Sequence, residues 1–428
     1  MATTPSMPEQ SFPAHGTAGG RLSRRSFLTG AGLSVAGAAA ASAAACATDE
    51  PAQQSADAVL VETVGLSRVP FDGPHQAGIA TPAQAHLNLV AFQVRAGVDA
   101  AGVQRLLRLW TQDARRLTQG QAPLGDLEPE MVTSPANLTI TCGFGPRLFD
   151  IIGKPEARPE WLHPIEAFSR DELDERYGEA DLVLQLCCDD PLTLSHATRH
   201  MIRSGIDYVT TAWLQQGFLT PPGHAPEETP RNLFGLKDGT VNPRTPEELD
   251  AVVWIDAPEA WLRGGSCMVV RRIAMNMDTW EILDRASREV AFGRTLDSGA
   301  PLTGTDEFDA ADFDATDSYG LPIIDPMSHM ARSTNPADRP GEKILRRAYN
   351  YDEAPIPGSE ETSNSGLVFI CYQKNPDEQF TPIQRRLNDG DRLNQWITHT
   401  GSAVFVMPAG VEESSATDSY WGQPLFEA

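Results

Sequence analysis

The chain has 428 residues, of which 58 are acidic and 34 are Lys or Arg, so its formal net charge is -24. An acidic surface repels polyanions, which argues against nucleic acid and anionic membrane surfaces as partners. With 41% hydrophobic and 21% charged residues, the composition is that of a globular protein, and the length suffices for two core-forming units.

The first 48 residues have the pattern of an export signal. Arg24 and Arg25 stand in the sequence S-R-R-S-F-L, which is typical of twin-arginine signals, and the Ala- and Gly-rich run behind them is too weakly apolar to predict a membrane span. Cleavage is expected after an A-x-A such as residues 43–45; alternatively, Cys46 becomes a lipid-modified first residue. Residues 49–60 read as a flexible linker. We expect the twin-arginine machinery to export the chain to the periplasm, the cell surface or the medium, with no integral membrane span in the mature chain.

Five cysteines follow the signal region, and their spacing argues against a shared metal or disulfide site. No pair has the C-x-x-C spacing of a zinc or redox site, and an odd number does not complete a disulfide framework. Most of them lie in apolar runs typical of strands, so we expect buried thiols. They are Cys142, Cys187, Cys188, Cys267 and Cys371.

Hydrophobic periodicity after residue 60 predicts strands and helices in the same order twice. The repeat predicts a duplicated α+β fold with two antiparallel sheets and peripheral helices, divided into halves at residues 61–230 and 231–428. In the first half we expect strands at residues 86–95, 137–143, 181–187 and 206–214 and helices at 99–117 and 192–203. In the second half we expect strands at 266–277, 367–373 and 402–407, a helix through Trp280, Ile282 and Leu283, and another at 383–387.

Two stretches in the second half carry candidate chemistry. His329, in DPMSHMARSTNP, follows an acidic loop, and downstream of it Ile344 and Leu345 precede two arginines. A neutral imidazole can bind haem iron, and a nearby guanidinium can stabilise negative charge on bound oxygen. A lone histidine is more often a surface or hydrogen-bonded core residue, and the G-x-x-D-G sequence at residues 235–239 is, in isolation, more typical of a tight turn. The acidic loop, TDEFDAADFDATD, lacks the spacing of a calcium loop and reads as solvated.

Taken together, these motifs resemble the dye-decolourising peroxidase family. The resemblance rests on FGLKDGTVNP, SHMARSTNP and ILRRAYNYD, joined by HQAGI, CGFGP, FGRTLDSGAPLTG and HTGSAVFVMPAG, in the family's order over nearly the whole mature chain. It implies two ferredoxin-like halves and one haem b per chain, held mainly by the C-terminal half.

The resemblance also implies roles for individual residues. His329 would be the proximal iron ligand, and Asp238 would be the distal acid-base residue, next to Gly239 at the cofactor. Arg346 would be the distal arginine, although the alignment leaves Arg347 open. Asp391 would accept a hydrogen bond from the His329 ring and increase its electron donation to iron.

The expected function is that of an exported haem peroxidase, with hydrogen peroxide as oxidant and dyes, phenols or other one-electron donors as reductants. An alternative from another class is a haem-binding, iron-acquisition protein of the deferrochelatase kind. A third is a cell-surface interaction module without haem. The sequence leaves the oligomeric state open, a homo-oligomer included.

Overall fold

The computed structural model describes residues 65–221, 229–412 and 419–427, all of which belong to one unit, residues 54–428. The predicted signal (residues 1–48, with Cys46) and linker (residues 49–60) lie outside the described residues. Within the described ranges, no helix is long and apolar enough to cross a membrane.

Eight antiparallel strands close into a barrel, and a ninth short strand is added at one side. The order around the barrel is β5, β9, β2, β3, β1, β4, β7 and β8, with β8 pairing back to β5, while β6 pairs with β8 alone. The strands are β1 (His86–Val94), β2 (Thr139–Phe144), β3 (Leu182–Cys188), β4 (Val209–Phe218), β5 (Ser266–Met275), β6 (Leu345–Arg346), β7 (Tyr349–Glu353), β8 (Asn364–Gln373) and β9 (Ile397–Met407).

Nine α-helices and four short 3-10 helices connect these strands within the described ranges. The α-helices are α1 (Ala100–Thr118), α2 (Pro146–Ile151), α3 (Pro191–Ser204), α4 (Pro246–Val252), α5 (Met277–Trp280), α6 (Arg285–Phe292), α7 (His329–Ser333), α8 (Phe380–Gly390) and α9 (Gln423–Glu427). The 3-10 helices are Pro129–Val132, Pro155–Ala157, Glu175–Tyr177 and Arg392–Gln395.

Side-chain alternation along the strands separates the barrel interior from its outer surface. Met268 and Val270 join an apolar cluster to which all the strands but β2 contribute, so this cluster fills the barrel. Cys267 and Val269, one residue away, belong instead to the outer core that packs against α1 and α3.

Most of the strands and the longer helices were predicted in place. The helix predicted to begin at Asp99 is α1, and the Asp99 carboxylate accepts a hydrogen bond from the Gly102 N-H as an N-cap. The five cysteines after the signal region are buried and free, as expected. The fourth strand lies a few residues later than predicted, at Val209–Phe218, because the residues before it still form the turn after α3.

Two predictions need correction. The helix predicted through Ile282 and Leu283 is interrupted: α5 ends at Trp280, and α6 begins only after the Asp284 cap, which leaves Ile282 exposed. The two predicted sheets are one closed sheet. They meet edge to edge through single residue pairs, Phe144 with Val406 and Phe218 with Asn350, so neither has the free edges expected of a separate sheet.

Candidate active site

His329 is the first residue of α7 and is held by a buried carboxylate. Its Nδ1 lies 2.6 Å from Oδ2 of Asp391. The other oxygen of Asp391 accepts a hydrogen bond from the Leu393 N-H at 2.9 Å, which caps the 3-10 helix Arg392–Gln395. Because Asp391 engages Nδ1, Nε2 is the ring nitrogen left to bind a metal.

Neighbouring contacts fix the orientation of the His329 ring. The ring of Phe292, at the end of α6, stacks on it with centroids 5.4 Å apart and planes inclined by 13°. Ser328 caps α7, its hydroxyl accepting a hydrogen bond from the Ala331 N-H. The Met327 carbonyl accepts a hydrogen bond from the Arg392 N-H, which ties the loop before His329 to the segment that carries Asp391.

Asp238 and Arg346 form a second polar pair. Nη2 of Arg346 lies 2.7 Å from Oδ1 of Asp238, and the Asp238 side chain is only 9% exposed. Oδ2 of Asp238 and Nε of Arg346 are both buried without a hydrogen-bond partner among the described residues. A half-satisfied buried carboxylate is costly, and such groups commonly mark sites where a ligand or reactant binds.

Asn242 positions this pair through the backbone of Arg346. Its side-chain amide donates to the Arg346 carbonyl at 2.8 Å and accepts from the Arg346 N-H at 2.9 Å. Gly239, between Asp238 and Asn242, has a φ of 113°, which favours glycine, and a Cβ there would lie 3.0 Å from Nδ2 of Asn242. The G-x-x-D-G sequence therefore folds as a turn and also carries the carboxylate that pairs with Arg346.

The acidic loop contributes one buried residue that the sequence reasoning missed. Lys237 donates to Oε2 of Glu307 at 2.7 Å, and Thr229 and Thr240 donate to Oε1. Burial alone would raise the pKa of Glu307, but the hydrogen bonds from Lys237 and Thr229 hold it below its usual value. The loop was predicted to be solvated, and that is wrong at Glu307, which anchors it beside Asp238.

The two polar pairs border the same apolar cluster. Leu236 precedes the Asp238 turn, Leu393 donates to Asp391, and both are buried in this cluster. Phe292, stacked on His329, and Phe369, whose ring lies 5.5 Å from the Arg346 guanidinium, pack against it at its half-buried side. An apolar wall with an imidazole at one end and an arginine-carboxylate pair at the other is suited to a flat, largely apolar cofactor.

Two family models match most of the chain. The family model described as "Dyp-type peroxidase, N-terminal" matches residues 76–219, and the one described as "Dyp-type peroxidase, C-terminal" matches residues 229–412. The chain belongs to the Dyp-type peroxidase family.

Relatives of this Dyp-type peroxidase match over almost their full length. A dye-decolorizing peroxidase from Thermobifida fusca is 34% identical, with 95% of this chain and 97% of the relative covered. A deferrochelatase from Escherichia coli K12 is 35% identical, covering 87% and 90%. Among solved structures, a DyP-type peroxidase from Cellulomonas bogoriensis is 46% identical with a TM-score of 0.81, covering 86% of this chain and all of that one. Ferric DtpA from Streptomyces lividans is 37% identical with a TM-score of 0.80, covering 85% and 98%.

Arg347, the alternative to Arg346, points away from the Asp238 pair in this Dyp-type peroxidase. It is buried and donates to the Thr81 carbonyl and to Oε1 of Gln84, on the other side of the strand. Arg347 follows β6 directly and its N-H still bonds to the Ile370 carbonyl, so the backbone stays extended and the two arginine side chains face opposite ways.

The paired histidines of α3 have structural partners. Nε2 of His196 lies 2.8 Å from Asp126, and Nε2 of His200 lies 2.9 Å from Asp113. Over the described ranges, no group of three or more His, Cys, Asp or Glu side chains could hold a metal ion.

The residues that sequence reasoning missed around the site are Asn242, Phe292, Glu307 and Phe369. Asn242 and Phe292 lie inside the motifs FGLKDGTVNP and FGRTLDSGAPLTG, so the sequence did contain a signal that they lie near the site. Glu307 and Phe369 had none, because their positions depend on how the loop and the strand fold back.

Proposed function

We propose that the chain is a haem-dependent peroxidase that reduces hydrogen peroxide and oxidises dyes, phenols or other one-electron donors, with His329, Asp238 and Arg346 as its functional residues. Family membership supports the enzyme class. The observation that carries the assignment of residues is the buried Asp238 carboxylate, held by Arg346 through one oxygen and left without a partner at the other.

The residues fit one haem b per chain. Nε2 of His329 would bind the iron, and Phe292 and Phe369 belong to the apolar side that would contact the porphyrin. Asp391 accepts a hydrogen bond from the Nδ1-H of His329, which fixes the tautomer and makes the imidazole a stronger electron donor to iron. A ferric relative at 37% identity supports the same cofactor. When bound, the haem would supply the redox centre at which the oxidant is reduced.

Asp238 and Arg346 would handle the protons and charge of hydrogen peroxide. The free Oδ2 of Asp238 can accept a proton from one peroxide oxygen and return it to the other, so that water departs. Arg346 holds Asp238 in place through Oδ1 and supplies a fixed positive charge where negative charge develops. Gly239 lets the backbone turn closely at the cofactor side.

Replacing Asp238 by Asn tests this assignment. The amide keeps the shape and an acceptor for Arg346 but cannot take the proton. We expect unchanged haem per chain, read from the Soret absorbance, and a rate of reaction with peroxide that falls about 10²- to 10⁴-fold in stopped-flow measurements. Asp207→Asn, an exposed acid-to-amide change in the first half, is the matched control. Full reaction rate in Asp238→Asn would contradict the role.

A second candidate function is release of iron from haem. It is favoured by one observation, the 35% identity to deferrochelatases over 87% of this chain. Anaerobic incubation of the haem-loaded chain with reductant, followed by assay of free iron and iron-free porphyrin, separates the two functions, because a peroxidase alone leaves the macrocycle metallated.

We further propose the finer architecture and the export route. The order β4-β1-β3-β2 in the first half and β9-β5-β8-β7 in the second supports two ferredoxin-like units, residues 61–230 and 231–428, with the haem mainly in the second. The S-R-R-S-F-L sequence supports twin-arginine export to the periplasm, cell surface or medium, with Cys46 as an alternative lipid anchor. N-terminal sequencing of the exported protein tests where the signal is cleaved, and incorporation of a lipid label tests whether Cys46 is lipid-modified.

A further inference from the structure

The segment of residues 304–327, here called the rim loop, runs along the edge of the site. Near its start, Glu307 is bonded to Lys237 and Thr240, the residues on either side of the Asp238 turn. Its end lies two residues before His329. The rim loop therefore extends from the acid-base pair to the proposed iron ligand.

Hydrogen bonds hold the rim loop in one shape. The Asp312 N-H donates to the Thr303 hydroxyl at 3.0 Å, the Asp317 N-H to the Leu321 carbonyl at 2.8 Å, and the Ile323 N-H to the Ala315 carbonyl at 3.0 Å. Arg294 donates to the Glu307 carbonyl beneath it. The side chains that the loop exposes are thus presented by a fixed backbone.

The fixed backbone exposes large apolar side chains. Tyr319 is 88% exposed, Leu321 63% and Phe308 56%, and Phe313 is also exposed. In the described part of the chain the four most exposed Phe, Tyr and Trp side chains are Tyr319, Phe308, Phe313 and Phe218, and the first three are on the rim loop. Several exposed apolar side chains on one ordered loop favour a role for that loop in binding.

Charge selects what the rim loop can bind. Between Arg294 and Arg332 the sequence contains no Lys or Arg. Glu307 and Asp325 are paired with Lys237 and Arg392, but the other five carboxylates of the loop form no ion pair with any described residue. They are Asp306, Asp309, Asp312, Asp314 and Asp317. Their combined field attracts cations and repels anions.

One contact shows the kind of cation that suits this surface. The guanidinium of Arg244 lies over the ring of Phe308, with its central carbon 4.6 Å from the ring centroid. Guanidinium is flat and its charge is delocalised, so it stacks on an aromatic face better than a compact ammonium does. Tyr319 and Phe313 offer further faces next to uncompensated carboxylates.

We propose that the rim loop binds flat aromatic cations, of the size of a phenothiazinium dye, as the preferred electron donors of this enzyme. The inference rests on the proposed peroxidase function for the use of the bound molecule, but the binding itself does not require turnover. The apolar and aromatic side chains contact the ring system, and the carboxylates hold its charge.

Equilibrium dialysis of the haem-loaded full chain, without peroxide, tests the proposal. We expect methylene blue to bind more tightly than an anionic anthraquinone sulfonate of similar size, and added salt to weaken the difference. Changing Asp306, Asp312, Asp314 and Asp317 to Asn keeps their Oδ1 acceptors while removing four charges. This variant is expected to bind methylene blue on the order of tenfold more weakly. A single exposed charge attracts the dye only weakly, but the four carboxylates of the rim loop act on the same bound cation.

A variant with four acid-to-amide changes elsewhere is the matched control for net charge. Glu130, Glu160, Glu175 and Asp207 are exposed and lie in the first half. Their replacement is expected to change the affinity for methylene blue by no more than about twofold, because salt screens exposed charges that lie farther than a Debye length from the bound dye. Tyr319→Ser tests the aromatic contact separately and is expected to weaken binding at unchanged net charge.

Three results would overturn the proposal: equal affinity for the two dyes, equal loss in the rim-loop and control variants, or a dimer that covers the rim loop and blocks the dye. None of these would bear on peroxide reduction. Conversely, tight and selective dye binding by a chain that does not react with peroxide would contradict the proposed function and leave the binding surface standing.

Discussion

The adjacent residues Arg346 and Arg347 have the same side chain but different partners and different roles. Arg346 meets Asp238 at the site, whereas Arg347 is buried on the opposite side of the strand and donates to Thr81 and Gln84. Sequence reasoning named both and chose Arg346 by alignment, because nothing in the letters L-R-R-A-Y tells which side chain faces the site. The structure brings Arg346, and not Arg347, to Asp238.

The same substitution at both positions is predicted to separate function from stability. Arg346→Lys keeps a positive charge near Asp238 but loses the flat donor geometry, so we expect kcat/KM for peroxide to fall about 10²-fold with little change in the urea midpoint. Arg347→Lys cannot satisfy Thr81 and Gln84 together, and we expect a loss of about 1–3 kcal/mol in the free energy of unfolding. The reverse pattern would contradict the assignment.

At the level of elements, the helices and strands with a clear hydrophobic periodicity were predicted from the sequence, and those without one were missed. Strands β1, β3, β5 and β9 and helices α1 and α3 follow from alternation or a 3.6-residue stripe. Strand β6 has two residues and therefore no period, and β7 lies in a polar sequence, YNYDE. Yet β6 positions Arg346, so the site depends on an element that periodicity cannot reveal.

The turn that carries Asp238 is predicted to be sensitive to a single methyl group. Gly239→Ala forces an alanine to a φ of 113° and places Cβ 3.0 Å from Nδ2 of Asn242, which holds the Arg346 backbone. Gly97→Ala is the matched control, since Gly97 has a φ of 86° but nothing within 4 Å of the added Cβ.

We expect both glycine variants to lose about 1–3 kcal/mol of stability from backbone strain, measured by urea unfolding. Only Gly239→Ala should also react more slowly with peroxide, because only there does the new methyl group disturb the residue that positions Arg346. Equal peroxide rates in the two variants would mean that Asn242 does not position Arg346.

At the scale of the whole molecule, the sequence predicted most of the strands and helices but not the closed barrel that they form. Each joint between the two predicted sheets consists of one residue pair, Phe144 with Val406 and Phe218 with Asn350. A single pair leaves no pattern along a strand, and its partners are more than 130 residues apart. The closed barrel is stabilised by its continuous apolar interior more than by the two joints themselves.

A buried network that crosses the two predicted halves makes stability depend on pH. His399 on β9 lies against Asp171 and Arg271, and burial together with Arg271 lowers its pKa from 6.5 to about 3. Below pH 6.5 the unfolded chain binds a proton that the folded chain refuses, so stability falls as the pH drops toward 3. At pH 4.5 the loss from His399 is roughly 2–3 kcal/mol.

Urea unfolding of the haem-loaded chain at pH 7 and pH 4.5 measures this loss. His399→Gln cannot take up a proton, so its apparent free energy of unfolding should fall less than that of the original chain over the same interval. An identical decrease in both proteins would show that other groups account for the acid sensitivity.

We propose His329, supported by Asp391, as the iron ligand of a haem site shared with Asp238 and Arg346. The most direct test is the absorption and electron paramagnetic resonance spectrum of His329→Ala, reconstituted with haem beside the original chain. We predict that the variant loses histidine-ligated ferric haem, with either much less bound haem or altered axial coordination that added imidazole restores. A variant with full haem content and an unchanged ligand-field spectrum would contradict the claim.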